Sequence, residues 1–167
     1  MIIETERLVL RPVGEHDLDI FTALLTCPVT TRYLPGGKPF GAEYINRYLA
    51  NRIKHWSKGY GTFIVSLASD PSVKIGYAGV EEITDTAFSD IRYGLLEHYQ
   101  GAGYAFEAAQ AVLNFTFSSE LLSTIYGVAV AENQASLRLL NKLGMHSCAT
   151  RLYDAEGLLS FSIQGRC

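Results

Sequence analysis

One stretch constrains this chain more than any other: Tyr99-Gln100-Gly101-Ala102-Gly103-Tyr104-Ala105. Before it, Ile91-Arg92-Tyr93-Gly94-Leu95-Leu96 is short, apolar and rich in strand formers. After it, residues 104 to 121 hold no Gly or Pro, and their apolar residues fall in two adjacent helical stripes: Ala105, Ala108, Val112 and Phe115, and Phe106, Leu113 and Phe117. The pattern is strand, glycine turn, buried helix. Two glycines two apart let the backbone turn sharply and put no side chain over its amides. Several N–H groups then converge on one anion at the positive end of the helix, which suits a diphosphate.

Two known phosphate-binding signatures fail here. The dinucleotide fingerprint needs a third glycine where this chain has Phe106, and no Gly-Lys-Ser/Thr tripeptide is present for a P-loop. Composition narrows the field further. The 167 residues suit one domain, 1–167, that buries roughly two thirds of its unfolded surface. A net charge of −3 without a basic run gives no footprint for nucleic acid or an anionic membrane. Met1 to Arg7 lacks the apolar core of a signal peptide, and no later segment is long enough to span a bilayer. The three scattered cysteines, Cys27, Cys148 and Cys167, read as reduced thiols of a cytoplasmic protein. His16, His55, His98 and His146 show no ligand spacing, so no metal is expected.

In chain order, Arg7 to Arg11 reads as a strand stopped by Pro12 and Gly14. A helix carrying Leu18, Phe21, Leu24 and Leu25 follows and is expected to close at Pro28. Val29 to Gly41 reads as a long loop, and Ile45 to Trp56 as a second amphipathic helix. The period then changes: Thr62 to Ala68 is strand, Ser69 to Ser72 turn, and Val73 to Ile83 strand, ahead of the strand into the glycine turn. Beyond the buried helix, Thr124 to Val130 is strand and Asn133 to Leu143 helix, with Asn133 as N-cap and Gly144 just past its end. Ser147 to Tyr153 and Leu158 to Ile163 are expected to form a hairpin across Asp154 to Gly157. The order is β-α-α-β-β-β-α-β-α-β-β.

Four stretches, in order, resemble the GCN5-related N-acetyltransferase (GNAT) superfamily, and its RimJ/RimL-like branch in particular. They are Thr5-Glu6-Arg7-Leu8-Val9-Leu10-Arg11-Pro12; Lys74-Ile75-Gly76-Tyr77-Ala78-Gly79; the glycine turn, as Gln100-x-x-Gly103-x-Ala105; and Ala131-Glu132-Asn133-Gln134-Ala135-Ser136-Leu137 with Lys142-Leu143-Gly144-Met145. The resemblance implies an α/β (α+β) fold with a mixed, mostly antiparallel, seven-stranded sheet, helices on both faces, and a splayed central pair formed by Tyr93–Leu96 and Tyr126–Val130. Acetyl-CoA would lay its arm in that splay, against Leu95, Leu96, Asn133 and Ser136, with its diphosphate on Gly101, Ala102, Gly103, Tyr104 and Ala105 and with Gln100 bracing the turn.

The implied reaction is attack of a primary amine on a thioester. It needs a base for the amine, a donor for the carbonyl oxygen, and an optional proton for the leaving thiolate. The resemblance points to Asp90 as base, with Glu81 and Glu82 as alternatives, and to a backbone N–H near Leu95 or Leu96 as oxyanion donor. Many family members carry a Tyr as acid where this chain has Leu140, which leaves Ser136 as candidate. The alternative readings are Asn133 as a helix cap alone and Ser136 as a polar first-turn residue. The acceptor, a small molecule or a protein N-terminus, is not legible, although Tyr33, Tyr44, Tyr48 and Trp56 are candidates to line its cleft. Monomer and homodimer are both open. The alternative to an enzyme is an acyl-CoA-binding module without catalysis.

Overall fold

The computed structural model describes residues 1–165; Cys167, counted among the cysteines above, lies outside the described residues. The strands are β1 (Ile3–Glu4), β2 (Leu8–Pro12), β3 (Thr62–Leu67), β4 (Asp70–Glu82), β5 (Ser89–Leu95), β6 (Thr124–Val130), β7 (His146–Cys148) and β8 (Leu158–Gln164). They form one sheet in the order β1-β2-β3-β4-β5-β6-β8-β7. All neighbours are antiparallel except β5 and β6. The helices are α1 (Leu18–Leu25), α2 (Pro28–Thr31), α3 (Ala42–His55), α4 (Tyr104–Ser118) and α5 (Gln134–Lys142).

Side-chain alternation along the strands divides the core in two. On β3, Phe63 and Val65 point to the layer of α4 and α5, where they meet Leu8, Leu10, Ala78, Val80, Ile91, Val112, Leu113 and Leu140. Ile64, between them, points the other way, into a second cluster with Val13, Phe21, Leu24, Ile45, Leu49 and Tyr77 beneath α1 and α3. Burial on both faces explains why Thr62-Phe63-Ile64-Val65 reads as continuously apolar rather than alternating. α1 is tied down by the fully buried Asp17, which accepts from Arg11 Nη1 and Nη2 at 2.8 and 2.6 Å and from the Gly14 amide at 2.8 Å. Burial alone raises the Asp17 pKa, but these donors and Lys74 outweigh it and hold it below the usual carboxylate range.

α5 has the ends its sequence suggests. The Asn133 Oδ1 accepts from the Ser136 amide at 3.2 Å, and Gly144 adopts φ +87 while the Met145 amide reaches back to the Leu140 carbonyl at 3.1 Å.

The fold departs from expectation in four places. It has eight strands, not seven, because Ile3–Glu4 folds back onto β2, opposite Val9 and Leu10. Pro28 opens the one-turn α2 instead of closing α1: its missing N–H costs nothing in a first turn. β4 starts at Asp70, inside the expected turn, because the chain reverses already at Ala68 and Ser69. The last strand pair is joined by residues 149–157 rather than by a tight hairpin, and β7 ends at Cys148. No helix among the described residues is long and apolar enough to cross a membrane.

Candidate active site

β5 connects the two halves of the site. Past its C-terminal end the chain makes a single helical turn at Glu97–Tyr99, runs extended at Gln100 and then takes two left-handed steps, at Gly101 (φ +81) and Gly103 (φ +85), before α4 begins. Both steps are conformations that a β-carbon disfavours. Gln100 braces the turn by donating from Nε2 to the Leu95 carbonyl at 3.0 Å. A β-carbon at Gly101 would meet nothing within 4 Å, whereas one at Gly103 would lie 3.3 Å from Arg7 Nη2. The two glycines therefore differ: Gly101 fronts open space, and Gly103 has the Arg7 guanidinium against it.

β5 and β6 share one bridge, Asp90 opposite Tyr126, and then part. β5 stays paired with β4 to Leu95, and β6 with β8 to Val130, so the facing edges beyond the bridge have no ladder with each other. This is the expected splay. The Leu96 amide donates to the Ile75 carbonyl of β4 at 2.9 Å, and the Leu96 carbonyl accepts from the Tyr99 amide at 2.9 Å. Backbone groups alternate sides along a strand, so the Leu95 N–H points away from β4 and into the splay. Of the two expected oxyanion donors, Leu95 has the free geometry and Leu96 does not. A parted strand edge, two left-handed glycines and a helix N-terminus fit a ligand with an amide-bearing arm and a diphosphate.

On the α1 and α3 face, at the start of β5, Asp90 lies opposite Glu81 of β4. Both carboxylates are buried, at 3% and 1% exposure, and side chains from several segments hold them. Arg92 Nε donates to Asp90 Oδ1 at 2.8 Å, and Tyr153, from the 149–157 connection, donates its phenol to Asp90 Oδ2. Glu81 accepts from Thr62 Oγ1 at 2.7 Å and has Arg92 Nη1 at 3.5 Å. Arg52 Nε stands 2.9 Å from Glu81 Oε1, but its N–H finds no acceptor in hydrogen-bond geometry, so this contact is an ion pair without a hydrogen bond. Burial disfavours the Arg92 charge, yet Asp90, Tyr153 and Glu81 together outweigh it and raise the Arg92 pKa. Burial, and then the charge on Asp90, push the Tyr153 phenol well up, so it remains a donor. Glu82 turns out of the cluster towards Lys58, at 3.5 Å. Tyr153 and Val128 also line an open cavity of about 470 Å³ under the 149–157 connection.

The other candidates lie on the opposite face. Asn133 Nδ2 donates to Ser136 Oγ at 3.1 Å, and the Tyr93 phenol lies beside Ser136. Burial raises the Tyr93 pKa, and Ser136 offsets part of that rise. Leu140 is buried at 1% exposure in the core against Gly127, a position with no proton to give. Asp90, at the β5–β6 bridge, and Ser136, beside Tyr93, thus lie on opposite faces of the sheet. The expected aromatic lining divides. Tyr44 is exposed and stacks on Phe40 at 4.3 Å, and Tyr48 lies under Arg52. Tyr33 is exposed beneath Arg32, while Trp56 belongs to the core, edge-on to Phe63. Sequence reading missed Arg52, Thr62, Arg92 and Tyr153; only Arg92, two residues after Asp90, carried a local signal. Among the described residues no group of three or more His, Cys, Asp or Glu could hold a metal.

Fold and site together define an α/β protein with a left-handed glycine turn at one end of β5 and a buried acid pair at the other. The family model for the acetyltransferase (GNAT) domain matches residues 7–146, and the chain belongs to that family. The protein named uncharacterized N-acetyltransferase p20, of Bacillus licheniformis, is 29% identical over 157 residues, which cover 93% of this chain and 83% of that one. Among solved structures, RimL, the ribosomal L7/L12 alpha-N-protein acetyltransferase in complex with coenzyme A, superposes with a TM-score of 0.80 at 16% identity, covering 98% of each chain. Spermidine N-acetyltransferase from Vibrio cholerae, in complex with CoA and spermine, gives 0.77 at 19% identity, covering 96% of this chain and 97% of that one.

Proposed function

We propose that this acetyltransferase moves an acetyl group from acetyl-CoA to a primary amine by direct attack of the amine on the thioester. The observation that carries the proposal is the single β5–β6 bridge, beyond which the strands part towards two left-handed glycines. The amides of Gly101, Ala102, Gly103, Tyr104 and Ala105 take the diphosphate. Leu96, Asn133 and Ser136 line the arm, and the Leu95 N–H meets the carbonyl oxygen as it gains charge. The cofactor supplies an activated acyl carbon with a good leaving group.

Asp90 is the proposed base. Its Oδ2 accepts from the half-buried Tyr153, so the amine proton passes to the Tyr153 oxygen as the phenol proton passes to Asp90. As the nitrogen–carbon bond forms, the carbon–sulfur bond breaks. The thiol can leave as thiolate near neutral pH, with Ser136 as the nearby proton source. Glu81, with Thr62, Arg52 and Arg92 around it, holds Arg92 in place.

The acceptor is a small-molecule amine or a protein N-terminus; RimL and the spermidine enzyme, which share this fold, span that range. The proposal takes residues 1–167 as one domain, cytoplasmic, working as a monomer or homodimer. Its test is thiol release from acetyl-CoA against a panel of polyamines, amino acids, aminoglycosides and N-terminal peptides. Release with at least one class is expected. CoA binding with no turnover on any amine would favour a non-catalytic acyl-CoA-binding module, the reading that Leu140 supports. Absence of CoA binding would sink both.

A further inference from the structure

The Thr5-Glu6-Arg7 segment has no part in the chemistry above, yet it is wired to the glycine turn. The amide of Arg7 and Thr5 Oγ1 both donate to Glu107 Oε2, at 2.8 and 2.5 Å, and Arg7 Nε donates to Glu107 Oε1 at 2.7 Å. Burial raises the Glu107 pKa, but these three donors outweigh it and hold it below the ordinary range, so the clamp carries a full charge. From that anchor the guanidinium lies over the Tyr104 ring, its carbon 4.3 Å from the centroid, and Nη1 donates to the Ala102 carbonyl at 2.9 Å. That last bond joins residues 95 apart in sequence.

A trans peptide unit is planar, so its C=O and N–H point in opposite directions. Holding the Ala102 carbonyl outward on Arg7 therefore turns the Gly103 N–H inward, to the concave side of the turn at the start of α4. Two of the three guanidinium nitrogens are used in this way. Nη2 lies beside Gly103, at the end of an open groove of about 410 Å³ that Phe106 and Lys142 also line.

We propose that Arg7 is a positioning residue for the cofactor's diphosphate: it orients the Ala102–Gly103 peptide from outside the turn and thereby presets the Gly103 amide. The inference rests on the acetyl-CoA reading and extends it to a residue at the far end of the sequence. It requires the fork of the guanidinium, not its charge alone, because one ammonium cannot bond Glu107 and Ala102 from the same position.

The test titrates CoA and ADP by calorimetry into wild type, Arg7→Met and Arg7→Lys, with circular dichroism and thermal melts as folding controls. ADP carries the diphosphate without the pantetheine arm. Arg7→Met is expected to weaken CoA about tenfold, the loss of one oriented charge-assisted donor, and ADP by a similar factor. Arg7→Lys should be as weak as Arg7→Met. Wild type that fails to bind CoA overturns the acetyl-CoA reading itself. Wild type that binds CoA, with Arg7→Met unchanged, overturns the role of Arg7 alone. Full rescue by Arg7→Lys, or a loss for CoA that ADP does not share, also overturns it, since the effect then belongs to charge or to the fold at large.

Discussion

The two ends of β5 are made of opposite materials. At the C-terminal end the cradle is backbone: consecutive amides, two left-handed glycines, and a helix start within a few residues of chain. At the N-terminal end the acid pair is side chain: Asp90 of β5, Glu81 of β4, Thr62 of β3, Arg52 of α3 and Tyr153 of the 149–157 connection. A backbone cradle depends on conformation, which the local sequence encodes. A side-chain cluster depends on the packing of distant segments, and its charges tolerate burial only because the partners arrive together. The first kind of site recognises a group common to many ligands. The second can be rebuilt one side chain at a time.

The comparison breaks most visibly at Asp90. Asp90→Asn is expected to lower kcat by about 10²–10⁴, the usual cost of losing a general base, with CoA affinity unchanged. Tyr153→Phe should reproduce the loss if the phenol relays the proton. A kcat within twofold of wild type in Asp90→Asn would remove the base from this end of β5. At the other end, Gly103→Val is expected to weaken CoA by roughly 10²-fold, from two or three charge-assisted hydrogen bonds at about 1.5–3 kcal/mol each. The cause differs from simple obstruction: a β-branched residue resists φ +85, and its β-carbon would press on Arg7. Gly101→Ala sharpens the point, because its β-carbon enters open space where the ligand is proposed to lie. Calorimetry on folded proteins should find it intermediate, about tenfold weaker, at a left-handed cost of roughly 1–2 kcal/mol. Unchanged CoA affinity in both glycine variants would make the turn purely structural.

Ser136→Ala separates the faces. With a thiolate able to leave unaided, kcat should fall by less than about tenfold, and a larger loss would make Ser136 an obligatory acid. The smallest effect is on stability. His55 accepts from the Glu82 amide at 2.9 Å through Nε2, which places its proton on Nδ1, 3.0 Å from the Tyr60 carbonyl. Burial lowers its pKa, outweighing the nearby charge of Glu81. The unfolded chain therefore takes up a proton first, so this contribution is complete above about pH 6.5 and is lost as pH falls towards the folded-state pKa. Melting temperatures of wild type and His55→Gln, compared at about pH 7.5 and about pH 5.5, should show the steeper acid decline in wild type; parallel declines would assign the slope to other groups.

Much of this molecule is legible in its sequence. The glycine turn, α4, the Asn133 cap and the Gly144 stop are local arrangements, and a few neighbouring residues set their geometry through φ and through hydrogen bonds of short sequence reach. A continuous apolar strand such as β3 is the mark of a sheet covered on both faces. Other features needed the folded chain. Nothing near Ile3 marks an eighth strand, because an edge strand of two residues exists only when β2 is already there to pair with it. Pro28 reads as a stop or a start with equal local logic, and packing chose the start. The carboxylate of Asp90 was visible, with Arg92 two residues along the same strand, but not that Tyr153 and, beyond it, Arg52 would converge on its neighbourhood, since each comes from a separate element. Arg7 is the sharpest case. Its motif was plain in the sequence, but its work at the Ala102 carbonyl exists only because β2 and β5 run in opposite directions, which brings the start of one and the end of the other to the same end of the sheet's strands. Short-range geometry is written in neighbouring residues, whereas long-range contact is decided by which apolar faces must be buried together.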